Sequence, residues 1–230
     1  MKIIEKLAAN NSDPIENPAP VIAFLGDSVT HGCFLSQNDY EAAYHNRVRQ
    51  KLNYLFPGAV VNIINAGIGG TTAKLGAKRI ERDVLSKNPD LCVVCFGLND
   101  VGGVDAGLLI YKKSLETIFE KLQKSGCEVI FMTPNMLNTQ EIDEIIPKQH
   151  REYATYTCKL QNEGMMDRYM AAAAETAKKY NIPVCDCYAK WKKMEESGVD
   201  TTRLLVNGIN HPRHEMLDLF ANSIVEIMFE

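Results

Sequence analysis

The sequence lacks several features that would define common classes of protein. It has no apolar run of the ~20 residues that a membrane span needs, and its first twenty residues, MKIIEKLAANNSDPIENPAP, do not resemble a secretory signal. It has no basic excess either, because 25 Lys and Arg residues stand against 29 Asp and Glu residues. Nucleic acids and anionic membranes are bound through clustered positive charge, so neither is expected as a partner.

The seven cysteines do not suggest a disulfide framework. An odd number at irregular spacing suits reduced thiols, so we expect a cytoplasmic protein. Two close pairs, Cys92 with Cys95 and Cys185 with Cys187, invite interpretation as metal ligands. Both pairs lie in or beside apolar runs, where free cysteine packs as a small apolar residue. We therefore predict core packing for these pairs and no metal site.

The length and the composition predict one globular domain, with 230 residues of which 46% are hydrophobic and 23% charged. Apolar runs of strand length recur at VIAFLG, AVVNIINA, LCVVCFG, CEVIFMT and IPVCDC, and segments with helical spacing separate them. Strands of such continuous apolar character must be covered on both faces. The pattern therefore predicts an α/β fold: a three-layer αβα sandwich around a central, mostly parallel five-stranded sheet.

Two parts of the chain depart from this alternation. We interpret residues 1–19 as an N-terminal extension of a single domain. Residues 134–160 are polar and follow the fourth predicted strand without a strong apolar stripe. Loops after the strands surround the ligand crevice of an open α/β sheet, so this insertion is a candidate lid or substrate wall. An ordinary surface excursion with a short helix explains it equally well.

Polar motifs follow the first three predicted strands and precede the last predicted helix. They are GDSVTHG, NAGIGGTT, GLND and NGINHPRHEM. Because the carboxyl ends of parallel strands meet at one edge, we expect all four to converge on one crevice. A serine, a glycine-rich turn, an asparagine amide and a histidine at one crevice supply a nucleophile, two kinds of oxyanion donor and a general base for acyl transfer.

Ser28 and His211 are the candidate reacting pair. The hydroxyl of Ser28 needs a tight turn, for which Gly26 leaves room, and it needs a base to take its proton. His211 can be that base because imidazole titrates near neutral pH. Pro212 favours an extended conformation at His211 and suits the first position of a helix, so we expect the imidazole to project from a fixed junction.

The oxyanion donors are the backbone N–H of Gly70 and the side-chain amide of Asn99. A plain turn before a helix would also explain Gly70, and an Asx turn at a strand end would also explain Asn99.

Other polar residues of the motifs are candidates for the substrate-binding surface, with Asp27 favoured as an architectural residue of the turn. They are Asp27, Thr30, His31, Gly69 and Asp100. His45, His150 and His214 are expected at the surface or in a wall of the crevice.

In order and in residue type, these motifs resemble those of the SGNH hydrolases, the group around the GDSL esterases and lipases. The resemblance implies a flavodoxin-like fold and the roles given above to Ser28, Gly70, Asn99 and His211, with no cofactor. The family usually carries an Asp three residues before its histidine, where this sequence has Gly208.

The group that orients His211 is therefore open at the level of sequence. Asn207, four residues before the histidine, could accept the Nδ1 proton through its amide oxygen. A backbone carbonyl could do so, which leaves a serine–histidine dyad. Asp200 could also fold in, and we rank it below the other two.

We expect a serine esterase that cleaves its substrate through an acyl-enzyme, with acetyl or other short acyl esters of a carbohydrate or small alcohol as substrates. The resemblance equally allows a lysophospholipase, a thioesterase or an acyltransferase. A non-catalytic flavodoxin-like ligand-binding module, with GIGGTT cradling a phosphate, is the rival from another class. The sequence has neither G-x-G-x-x-G nor G-K-[ST], which weighs against it. A homo-oligomer is compatible with everything above.

Overall fold

The structure, a computed structural model, describes residues 1–35 and 37–230. Within these ranges the strands are β1 (Val21–Gly26), β2 (Asn62–Gly67), β3 (Leu91–Cys95), β4 (Glu128–Thr133) and β5 (Val184–Asp186). The helices are α1 (Lys2–Ser12), α2 (Ser28–His31), α3 (Tyr44–Leu55), α4 (Ala73–Asp83), α5 (Val104–Lys124), α6 (Arg151–Asn162), α7 (Met165–Lys179), α8 (Cys187–Glu196) and α9 (Leu217–Met228).

All neighbouring strands are parallel, and their order across the sheet is β2-β1-β3-β4-β5. α4 packs against α5 and α5 against α7, while α3 packs against α9. The predicted α/β sandwich is therefore confirmed, and the strand order is that of flavodoxin-like folds. In such a sheet the ligand crevice lies at the carboxyl ends of β1 and β3, where the direction of winding reverses.

The core is built from the apolar runs that the sequence marks. β3 is buried along its whole length, as expected of a central strand with helices on both faces. The apolar stripe of α5 is buried, which confirms the prediction from its helical spacing: Leu115, Ile118, Phe119 and Leu122. Both cysteine pairs are also buried: Cys92, Cys95, Cys185 and Cys187.

The amino-terminal helix α1 is part of this core. Ile3 and Leu7 are fully buried, and the backbone amides of Lys2 and Ile3 donate to the carboxylate of Glu128 at 3.0 and 2.7 Å. Glu128 begins β4, so α1 is fixed to the end of the sheet opposite the predicted crevice. Within residues 1–19, the predicted N-terminal extension of the single domain, α1 thus packs as part of the core.

We expect Leu7→Ala to lower the free energy of unfolding by about 2–5 kcal/mol, since it removes a buried side chain and leaves a cavity. Ile15, whose side chain is 90% exposed, provides the matched control in the same part of the chain. Ile15→Ala should change the stability by less than about 0.5 kcal/mol. Urea denaturation of both variants measures the difference, and equal midpoints would show that α1 does not contribute to the core.

Candidate active site

The side chains of Ser28 and His211 meet at the carboxyl end of β1. The distance from Ser28 Oγ to His211 Nε2 is 2.9 Å, between residues 183 positions apart. Ser28 is the first residue of α2, directly after β1, and only 6% of its surface is exposed. A hydroxyl hydrogen-bonded to an imidazole nitrogen has the geometry that general-base activation requires.

Two glycines allow α2 to pack directly on the strand ends. A Cβ at Gly26 would lie 2.0 Å from Thr30 Oγ1, and a Cβ at Gly67 would lie 2.2 Å from the backbone nitrogen of His31. Neither distance is compatible with a side chain. The glycines at the ends of β1 and β2 therefore determine where the first turn of α2, and with it Ser28, is located.

The predicted oxyanion residues lie beside this turn. A Cβ at Gly69 would be 3.8 Å from Ser28 Cβ, so the glycine-rich turn runs past the nucleophile. Gly70 has a φ of +72° and open space around its Cβ position. Asn99 Nδ2 donates to the carbonyl of Thr71 at 2.9 Å, which holds the amide against the same turn, and a primary amide has a second N–H to offer. The structure thus brings Ser28, Gly70, Asn99 and His211 to one edge of the sheet.

Three of the predicted substrate-binding residues are used elsewhere, and those predictions are corrected. Asp27 and Thr30 are fully buried; Thr30 Oγ1 lies 2.8 Å from the hydroxyl of Tyr44. Asp100 Oδ1 accepts from the backbone amide of Ala73 at 2.9 Å and so stabilises the start of α4. Thr30 thus joins α2 to α3, whereas Asp27 and Asp100 each accept a backbone N–H at the start of a helix, where such groups lack intrahelical partners.

Asp27 and Asp100 are carboxyls in an environment that disfavours their charge. Burial raises the pKa of Asp27 to about 7, against the opposing effect of the Val29 amide that its Oδ1 accepts. Burial likewise raises the pKa of Asp100 to about 7, and the nearby Asp27 raises it further. In both residues Oδ2 is buried without a partner among the residues described. These are the expected properties of architectural carboxyls that are partly protonated at neutral pH.

His31 lies at the rim of the site, where a contact with substrate stays a prediction. Its Nδ1 is 3.9 Å from the Cβ position of Gly69, and its Nε2 is 3.3 Å from Asn38 Nδ2 and 3.4 Å from the hydroxyl of Tyr40. Tyr40 is exposed. His31 and Tyr40 therefore form a polar, aromatic margin beside the glycine-rich turn.

The remaining histidines divide between surface and core. His150 and His214 are exposed, as expected from the sequence. His45 is instead buried, and this burial lowers its pKa to about 4. His45 was expected at the surface or in a wall of the crevice, and its burial excludes the first of these two positions.

Asn207 does not orient the His211 ring, contrary to one of the predictions. Its Oδ1 accepts the backbone amides of Ile209, Asn210 and His211 at 3.0–3.1 Å, so the side chain organises the loop around itself. Asp200 is also engaged, because it accepts from the backbone of Arg203 and pairs with its guanidinium. His211 Nδ1 is buried and has no hydrogen-bond partner in the described part of the chain.

Gly208 occupies the position where the family usually has its acid, and the packing around it excludes one. Gly208 has a φ of +63°, and a Cβ there would lie 2.8 Å from Ile145 Cγ1 and 2.9 Å from Ile146 Cγ1. Both isoleucines belong to the insertion at 134–160. The insertion therefore fills the space that an aspartate side chain at position 208 would need.

The insertion also holds the loop that carries His211 through hydrogen bonds. Asn135 Nδ2 donates to the carbonyl of Asn210, and the backbone amide of Asn138 donates to the carbonyl of Ile209, both at 2.9 Å. Asn135 and Asn138 are fully buried. The first part of the insertion is thus a structural support, and closure of the rest over a substrate stays a prediction.

Pro212 is placed differently from the prediction. It pairs with Leu205 in an isolated antiparallel bridge, and α9 begins only at Leu217. Within the same loop the amide of Val206 donates to the carbonyl of His211 at 2.7 Å. The imidazole therefore projects from a short hairpin and not from the start of a helix.

Sequence reasoning missed one further residue of the site. Arg79 on α4 is buried and donates to the carbonyls of Gly26 at 2.8 Å and Ala66 at 2.6 Å, which ties together the ends of β1 and β2 close to Ser28. Arg79 carries no local signal, because an isolated Arg on a helix is usually exposed.

A serine–histidine pair at the carboxyl edge of a parallel 2-1-3-4-5 sheet is characteristic of serine hydrolases of the α/β sandwich type. Residues 24–216 match the family described as GDSL-like lipase/acylhydrolase. The chain belongs to this family, as the resemblance of its motifs implied.

Similar proteins are known at the level of sequence and of structure. The uncharacterized lipoprotein YqeF of Bacillus subtilis (strain 168) is 33% identical over 120 residues, which are 49% of this chain and 47% of that protein. The chain thus spans about half the length of this curated relative.

None of the helices within the described ranges combines the length and the apolar character needed to cross a bilayer.

Among solved structures, the acetylxylan esterase Axe2 from Geobacillus stearothermophilus has a TM-score of 0.68 at 21% identity, over 90% of this chain and 93% of that one. The two-domain esterase CEX has a TM-score of 0.69 at 24% identity, over 99% of this chain and 51% of that one. LAE5, an α/β hydrolase from the metagenome of Lake Arreo, has a TM-score of 0.66 at 19% identity, over 90% and 95%. These similarities are similarities of fold.

We expect the acid limb of the profile of kcat/KM against pH to have its midpoint below 6.5. Burial lowers the pKa of His211 from that value, while the nearby backbone of Phe34 opposes the shift, so the neutral base persists into mildly acidic solution. Hydrolysis of p-nitrophenyl acetate from acidic to neutral pH measures the limb. A midpoint above 6.5 would indicate a base paired with a carboxylate.

Protonation of Asp27 at low pH does not unfold the protein, so it cannot cause the loss of activity on the acid side of the profile. The folded-state pKa of Asp27 is raised from 3.8 to about 7, so its contribution to stability is present below pH 3.8 and is lost as the pH rises to about 7. Thermal unfolding at each pH of the profile is the control, because it shows whether the enzyme is folded where the activity declines.

We expect Gly208→Asp to destabilise the protein without raising kcat, because the new side chain meets Ile145 and Ile146 in a left-handed backbone conformation. Gly198 is the matched control, with a φ of +92° but open space around its Cβ position. Gly208→Asp should cost about 1–3 kcal/mol more than Gly198→Asp, the typical cost of overpacking. A gain of activity in Gly208→Asp would mean that this position can supply the acid.

Proposed function

We propose that the protein hydrolyses short-chain carboxylic esters, with acetyl esters of a carbohydrate or of a small alcohol as the substrate class. The single observation that carries the proposal is the 2.9 Å hydrogen bond between Ser28 Oγ and His211 Nε2. A backbone cradle for a phosphate would need no such pair. Family membership supports the class of reaction.

In the acylation step, His211 Nε2 takes the proton of the Ser28 hydroxyl while Oγ attacks the ester carbonyl carbon. The backbone N–H of Gly70 and the side-chain amide of Asn99 donate to the carbonyl oxygen as it becomes negative. The tetrahedral intermediate collapses, the C–O bond to the alcohol breaks, and the imidazolium gives its proton to the leaving oxygen.

In the deacylation step, water replaces the alcohol. His211 removes a proton from the water, which attacks the acyl carbon on Ser28, and the same donors stabilise the second oxyanion. Collapse releases the carboxylic acid and returns the proton to Ser28. The cycle consumes one ester and one water, releases one alcohol and one carboxylic acid, and returns Ser28 and His211 to their starting states.

Two observations support a short acyl group on a polar alcohol. Ser28 is only 6% exposed and the glycine-rich turn passes close beside it, which limits the space for an acyl chain. The solved structures with similar folds include one described as an acetylxylan esterase and one described as an esterase active on acetylated mannans. Their substrates support acetylated carbohydrate as the class to test first. A cytoplasmic location stays a prediction, and the similar Bacillus subtilis protein is named a lipoprotein.

The test compares wild type, Ser28→Ala and Ser86→Ala on p-nitrophenyl acetate, butyrate and octanoate, and measures acetate release from acetylated xylo- and manno-oligosaccharides. Ser86 is an exposed serine far along the chain and serves as the control. We expect wild type and Ser86→Ala to prefer acetate, and Ser28→Ala to lose at least ~10³-fold in kcat.

Intact-mass detection of a fluorophosphonate adduct completes the experiment. Wild type should gain one adduct, located at Ser28, and Ser28→Ala should gain none. If Ser28 is labelled but p-nitrophenyl octanoate is hydrolysed faster than the acetate, the short-acyl proposal is contradicted. A wild type that hydrolyses no ester and gains no adduct would contradict the proposed mechanism.

A further inference from the structure

The His211 ring has a hydrogen bond to Ser28 on one side and no partner with hydrogen-bond geometry for Nδ1 on the other among the residues described. Serine–histidine–aspartate enzymes orient the base with a carboxylate. Among the residues described here, no carboxylate does this for His211. A ring held by one hydrogen bond can rotate about its side-chain bonds, and the distance to the nucleophile would then vary.

A contact between two loops lies next to this ring. The rings of Phe34 and His214 contact each other in a tilted arrangement, with centroids 4.0 Å apart and an angle of 37° between their planes. His214 Nε2 is also 3.4 Å from Asp39 Oδ2. We call Phe34, Asp39 and His214 the His214 clamp. The backbone of Phe34 also lies close enough to His211 to raise its pKa, against the larger effect of burial.

One side of the clamp is fixed to the nucleophile. The amide of Cys33, the residue before Phe34, donates to the carbonyl of Ser28 at 2.9 Å, and the amide of Asp39 donates to the carbonyl of Gly32, the residue that ends α2, at 2.8 Å. Phe34 and Asp39 are thus attached to the helix that begins with Ser28.

The other side of the clamp is fixed to the base. His214 follows His211 by three residues, and the intervening Arg213 donates its amide to the carbonyl of Leu204 at 2.8 Å. The short helical turn at His214–Met216 restricts the residue further. A contact between Phe34 and His214 is therefore a contact between the rigid supports of Ser28 and His211.

We propose that His214 is a positioning residue for the esterase reaction, an inference that rests on the proposed function. Its ring holds Phe34 against the loop that carries His211, and so fixes the position of that loop relative to the start of α2, where Ser28 lies. The aromatic contact contributes more than the contact with Asp39, because the side chains of His214 and Asp39 are 48% and 39% exposed and pairs of this kind contribute little.

The experiment compares His214→Ala, His214→Gln, His214→Phe and Asp39→Asn with wild type. It measures kcat and KM for p-nitrophenyl acetate and the rate at which a fluorophosphonate labels Ser28. We expect His214→Ala and His214→Gln to lower kcat and the labelling rate by about 10- to 100-fold with KM within about twofold, since a misplaced base affects the chemical step. His214→Phe and Asp39→Asn should stay within about threefold of wild type.

Tyr54→Ala is the matched control, because Tyr54 is an exposed aromatic residue on α3 and takes no part in the mechanism. Thermal unfolding shows whether each variant is folded at the assay temperature. If His214→Ala is not, the comparison of His214→Phe with His214→Gln decides, since only the former keeps an aromatic ring on Phe34.

Two results would overturn the inference while the proposed function stands: unchanged kcat in His214→Ala, or a loss in His214→Phe as large as in His214→Gln. An inert and unlabelled wild type would instead contradict the proposed function itself. The wild-type measurement therefore separates the two failures.

Discussion

The hydrogen bond between Ser28 and His211 is the constraint on which the rest of the structure depends. It joins residues 183 positions apart, so it can form only when the sheet between them is complete. Ser28, the proposed nucleophile, follows the end of β1 by two residues. His211, the proposed base, lies in a loop after the last strand, and this loop is held by the side-chain amide of Asn135 and the backbone amide of Asn138 from the segment after β4. A two-atom contact thus depends on three separate parts of the fold.

The floor of the site is polar and buried, which is unusual for the end of an apolar strand. Arg79 donates to the carbonyls of Gly26 and Ala66 at the strand ends, and the Gly26 carbonyl also accepts the amide of Ile68. The start of a helix leaves amides without acceptors, and Asp27 and Asp100 each accept one. These three buried side chains therefore all bind backbone groups around Ser28. The raised pKa values of the two carboxyls are the electrostatic consequence of this arrangement.

The predictable and unpredictable parts of the molecule differ in the range of the interactions that determine them. The apolar runs define the strands locally, and VIAFLG coincides with β1, residue for residue. The order of the four polar motifs was enough to predict which residues would meet. The direction of a side chain was not predictable, because Asp27 and Thr30 follow the same strand as Ser28 and yet point into the core. Their orientation depends on Tyr44 and on the packing of α2, neither of which the motif contains.

The absence of an aspartate at position 208 is also determined by residues distant in the sequence, and it affects the chemistry of His211. Ile145 and Ile146 fill the space beside Gly208, so a carboxylate at that position and this apolar contact exclude one another. Without a carboxylate partner, burial dominates the electrostatics of His211 and lowers its pKa. The base is then neutral and ready over a wider range of pH. The imidazolium that forms during catalysis is stabilised less, because no fixed negative charge faces it. We therefore expect the same packing to widen the pH range of the proposed reaction and to lower its maximal rate, so that precise placement of the ring becomes the main remaining source of catalytic efficiency.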